Sequence, residues 1–74
     1  MNSPDWPRIQ QIGDEMESLA GDGDWSLVHF RRLYTRAVQA ARGNGWILEM
    51  FSTYMPDQTY FDEARRISDE MKAA

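Results

Sequence analysis

Seventy-four residues without a single cysteine rule out a disulfide scaffold, thiol chemistry and a thiolate zinc site. A net charge of −4 disfavours a general binder of nucleic acid or of anionic membrane. An apolar fraction of 42%, with three Trp, three Tyr and three Phe, is too high for a disordered chain. The expectation is one helical domain over 1–74, small enough that its stability margin is thin. A homodimer is one way to widen that margin.

The charge is unevenly spread. Residues 1–24 carry six acids and one base, residues 25–45 four bases and no acid, and residues 46–74 six acids and three bases. The chain therefore reads acidic, basic, acidic. Ser3-Pro4-Asp5 offers a cap, a first-turn proline and an acid for the positive end of a first helix over 3–20. Trp6, Ile9, Ile12, Met16 and Leu19 recur at three-four spacing and form its apolar stripe. Gly13 weakens its middle by roughly 1 kcal/mol relative to Ala, and either admits a neighbour closely or is tolerated. Gly21-Asp22-Gly23 breaks the helix and leaves Asp24 to cap the next.

The second helix, 24–42, has the clearest periodicity. Leu27, Phe30, Leu33, Tyr34, Ala37, Val38 and Ala41 line one side, and His29, Arg32, Arg36 and Gln39 the other. The short connection makes helices one and two antiparallel neighbours, with acidic and basic faces opposed. Gly43-Asn44-Gly45 ends the helix. Residues 46–55, WILEMFSTYM, read as a short helix with Trp46, Ile47, Met50, Phe51, Tyr54 and Met55 on one face; Pro56 stops it. Asp57 or Thr59 caps a last helix over 58–72, with Tyr60, Ala64, Ile67 and Met71 in line and Phe61 beside them. Asp62–Arg66, Arg65–Asp69 and Arg66–Glu70 are i,i+4 pairs that make a solvated face, each worth about 0.3 kcal/mol.

The fold expected is all-α: three longer helices and one short one, as a compact antiparallel bundle or as a helical hairpin with two further helices packed over it.

Reaction chemistry finds little support. His29 is the only histidine and has no metal-binding or nucleophile motif around it. Asp22 to Leu27 fails as a calcium loop, because the sixth position must be glycine. Gly43-Asn44-Gly45 is too short to cradle phosphate. No cofactor, metal or catalytic residue is expected. No apolar run approaches the ~20 residues of a membrane span, and the first residues lack a signal peptide's basic and apolar regions. A cytoplasmic location is therefore expected.

What remains is a surplus of large side chains. Trp46, Met50, Phe51 and Tyr54 are more than a short helix needs to complete a core, and Trp, Tyr and Met suit interface anchors. The plain alternative is that they are simply core. With Arg32 and Arg36 setting specificity, the favoured reading is a non-enzymatic regulator or inhibitor that binds a larger protein or nucleoprotein, of the kind phages and mobile elements encode. The rival is a dimeric, nucleic-acid-associated transcriptional regulator using helix 25–42. The arginines more readily pair inside the molecule with the acidic flanks.

Overall fold

A computed structural model describes residues 3–73; residues 1, 2 and 74 of the expected domain lie outside it. Four α-helices follow in order: α1 (Trp6–Gly21), α2 (Leu27–Ala41), α3 (Gly45–Leu48) and α4 (Gln58–Ala73). A 3-10 segment, Glu49–Tyr54, continues α3. The described residues contain no strand.

Both long-helix starts fall later than the sequence suggests. Asp5, not Ser3, caps α1: its carboxylate accepts from the Arg8 amide, and Pro7 takes the first-turn place expected for Pro4. Ser26, not Asp24, caps α2 by accepting from the His29 amide. The Asp24 amide is already committed to the Leu19 carbonyl, and the Gly23 amide to Ala20. With Gly23 at φ 78°, these two bonds form a Schellman stop, so glycine is required there.

α2 is the wall that the others share. α1, α3 and α4 each pack on it, and the 3-10 segment closes against α1. The Asp5 amide donates to the Ala40 carbonyl at 2.8 Å, tying the start of α1 to the end of α2. That makes α1 and α2 an antiparallel hairpin, as expected. α4 does not continue the alternation. Its Tyr60 meets Phe30, its Glu63 meets Arg31, and its Ser68 hydroxyl bonds Tyr34. Rising numbers match rising numbers, so α4 runs parallel to α2. A fully antiparallel bundle is thus corrected to a hairpin with a crossover. Residues 42–57 must carry the chain back along α2 before α4 can begin.

That return path accounts for the second correction. The expected helix over 46–55 is α-helical for one turn and then tightens to 3-10 winding. A 3-10 helix rises about 2 Å per residue against about 1.5 Å, so the same residues reach further. It also has about three residues per turn, which aligns Leu48, Phe51 and Tyr54 inward. Trp46 and Met50 are left outside.

The core is built from Ile9, Ile12 and Met16 of α1, Phe30, Leu33, Tyr34, Ala37, Ala40 and Ala41 of α2, and Ile47, Phe51, Met55, Ala64 and Ile67. Its centre is aromatic. Phe30 lies 5.1 Å from Tyr34, 5.3 Å from Tyr60 and 6.0 Å from Trp25, ring centre to ring centre. The Trp25 indole donates to the Tyr54 carbonyl at 2.8 Å and pins the end of the 3-10 segment. Burial raises the Tyr34 phenol's pKa, against a smaller lowering by its bond to Ser68. The Cα dimensions, 37 × 25 × 17 Å, leave thickness for only about two helix layers. The accessible surface, 4892 Å², is close to the ~4700 Å² of a compact monomer of this mass.

Gly13 faces Phe51. A Cβ built there would stand 3.8 Å from the ring, an ordinary contact. Gly13→Ala should therefore stabilise the fold by about 0.5–1 kcal/mol through helix propensity, read as a higher urea midpoint.

The charged face of α4 is less solvated than its sequence implies. Glu63 is buried at 8% exposure, where it binds Arg66 and reaches across to Arg31 at 3.0 Å. Of the expected pairs, Arg66–Glu70 forms at 2.7 Å, whereas Asp62 accepts from Gln58. The hydrogen bond from Arg66 lowers the Glu63 pKa below its ordinary 4.5, opposed by burial and helped by the charges of Arg31 and Arg66. A depressed carboxylate stabilises the fold above its unfolded pKa, and that contribution is lost as pH falls through the folded value. Glu63→Gln should cost about 1–2 kcal/mol at pH 7. The gap between wild type and variant should shrink as denaturation is repeated from pH 5 down to pH 3.

Candidate protein-binding surface

The sequence places four candidate anchors on one face of 46–55; the structure divides them. Trp46 and Met50 are 58% and 57% exposed, Tyr54 is half-buried, and Phe51 is core at 3%. Phe51 therefore cannot be a surface anchor. It is buried in line with Ile47 and Met55, against Gly13 of α1.

A residue of the first helix takes its place. Trp6, on the apolar stripe of α1, is 45% exposed and its ring lies 5.9 Å from that of Trp46 at an interplanar angle of 51°. It sits in the first turn of α1, where α2 is ending, so the shared wall no longer covers it. The clue was positional: a stripe residue in the first turn outlives its partner helix. Trp6, Trp46 and Met50 together form an exposed apolar patch at the junction of α1 and α3.

The patch runs into a cleft of about 420 Å³ between α1 and the 3-10 segment. Ile9 and Phe51 form its floor and Trp6, Met50 and Tyr54 its walls, with Gln10, Asp14 and Glu17 along the rim. Burial raises the Tyr54 phenol's pKa, and the negative charges of Glu17 and then Asp14 push it the same way.

A larger crevice, about 830 Å³, opens between α2, α3 and α4. The two parallel helices touch where Phe30 meets Tyr60, while Val38 and Ala41 face Met71 and Lys72 across the open end. Leu48, Met55 and Phe61 complete its apolar lining. Nothing in the sequence announced it, because it arises from the parallel course of α4.

The basic residues lie elsewhere. Arg36 pairs with Glu15 of α1 at 3.7 Å. Glu15 is about 200° around α1 from Gly13, so this pair sits on the far side of the helix from the cleft. Arg31 is held by Glu63, and Arg42 donates to the Ser3 carbonyl. Arg32 is exposed and makes no ion pair among the described residues. Arg36 is thus turned away from the cleft beside Trp46. His29 is partly buried, its Nδ1 2.9 Å from the capping Ser26 hydroxyl. Among the described residues no group of three His, Cys, Asp or Glu could hold a metal ion, and no helix is long and apolar enough to cross a membrane.

Comparison with protein-family models, with curated proteins and with solved structures gives no match for this chain.

Proposed function

We propose that this chain is a non-enzymatic protein-binding module, a small regulator or inhibitor that docks on a larger protein through Trp6, Trp46 and Met50. The observation that carries the reading is two exposed indoles in contact, beside an exposed methionine and a cleft. Isolated exposed apolar residues are ordinary, but a contiguous cluster of Trp and Met is the composition of interface hot spots. Tyr54, half-buried at the back of the cleft, supports the patch.

The partner is a different protein. A two-fold pairing of this patch with itself brings the Asp14 and Glu17 rims of both copies together, which charge repulsion opposes. The nucleic-acid reading draws less support, since Arg31, Arg36 and Arg42 are engaged within the molecule.

The test is affinity capture from the source organism's lysate, with the tagged wild type and Trp46→Ala as parallel baits. The expected result is a protein enriched by the wild type only, then confirmed by titration of the purified pair. Equal enrichment by both baits would remove the patch from the reading.

A further inference from the structure

We propose that the cleft between α1 and the 3-10 segment is a cation-recognition pocket, taking an arginine or lysine side chain from a basic segment of the bound protein. This rests on the protein-binding reading and adds the chemistry of the partner. Two features of the cleft converge. Its walls carry Trp6 and Tyr54, both with accessible aromatic rings. Aromatic faces attract guanidinium and ammonium groups, and the long stems of those side chains cover apolar surface. Its rim carries Asp14 and Glu17, which can accept from the charged head once the stem lies across the rings.

These carboxylates differ from their neighbours. Glu15, between them in sequence, is paired with Arg36, and Asp5 with Arg8. Asp14 and Glu17 make no ion pair among the described residues. They fall three apart on the face of α1 that also bears Trp6 and Gln10, so helical geometry aims them at the same opening. Both stand close enough to the cleft wall to push the Tyr54 phenol upward, beside the larger effect of its burial. A neutral apolar segment seated here would strip water from two carboxylates without replacing it, and an acidic one would be repelled. A basic segment with an apolar anchor for Trp46 satisfies both halves of the surface.

The test uses two peptides, Ac-Leu-Arg-Arg-Leu-NH2 and its glutamine counterpart Ac-Leu-Gln-Gln-Leu-NH2, titrated into the 15N-labelled chain. The arginine peptide should shift the amides of Gly13, Asp14 and Glu17 and the indole N–H of Trp6. It should bind at least about tenfold more tightly than the glutamine peptide, with the preference fading in salt. Asp14→Asn with Glu17→Gln should reduce it to the glutamine level. Both positions are exposed on α1, so the core is untouched. Trp46→Ala should weaken both peptides alike, which separates failure of the patch from failure of the pocket. Equal affinity for the two peptides, or an arginine preference that survives the double substitution, overturns the cation pocket and leaves the apolar patch standing. Absence of shifts with either peptide also overturns the pocket, and the capture experiment then judges the patch independently.

Discussion

Phe30→Ala should leave the protein largely unfolded at 25 °C. Phe30 is wholly buried, and its ring is the one that Trp25, Tyr34 and Tyr60 all meet. Removing a buried phenylalanine ring costs about 3–5 kcal/mol, because lost transfer energy adds to the cavity left behind. A domain of this size rarely has more than about 3–5 kcal/mol to lose, and no disulfide supplements the core. Circular dichroism should show most of the helical signal gone for Phe30→Ala. Phe30→Leu, which keeps most of the volume, should retain the fold and melt at a lower temperature. A cooperative melt for the alanine variant close to that of the wild type would mean that the aromatic cluster is not the centre of the core.

Trp46→Ala should have the opposite profile. The side chain is more than half exposed, and its ring contact is with another exposed ring, so its loss should change stability by less than about 1 kcal/mol. An aromatic hot spot at an interface is worth about 2 kcal/mol or more, so affinity for the partner should fall at least about 30-fold. Calorimetric titration of the captured partner, paired with a urea melt of the free variant, reads both quantities. Trp46→Ala and Phe30→Ala separate the two roles that large aromatic residues play in so small a chain. A Trp46→Ala variant that loses stability rather than affinity would reassign Trp46 to the core.

Much of this architecture was legible because it depends on local chemistry. The stripes of α1, α2 and α4 follow from three-four spacing, and the glycine stops at Gly23 and Gly43 from left-handed backbone. The pairing of the basic helix with acidic flanks was legible too, and Arg36–Glu15 and Arg31–Glu63 realise it. What escaped was non-local. The parallel course of α4 depends on how residues 42–57 return along α2, and periodicity within a helix carries no information on direction. The 3-10 winding of Glu49–Tyr54 accompanies that return, and the burial of Phe51 depends on the approach of Gly13 of α1. Trp6 belongs to a real stripe, but that stripe extends beyond the wall it would pack on. Glu63 could have been found: it lies three residues after Tyr60 and four before Ile67, on the apolar line rather than off it.

The central claim, that two adjoining indoles are left open for another protein, can be read directly with 5-fluorotryptophan at positions 6, 25 and 46. In the free chain the 19F signals of Trp6 and Trp46 should show a solvent isotope shift on exchange from H2O to D2O, and that of Trp25 a smaller one. Saturation with the captured partner should abolish the shift at Trp6 and Trp46 while leaving Trp25 as it was. Shifts at Trp6 and Trp46 that persist in the saturated complex would contradict the account, since the partner would then be bound somewhere else.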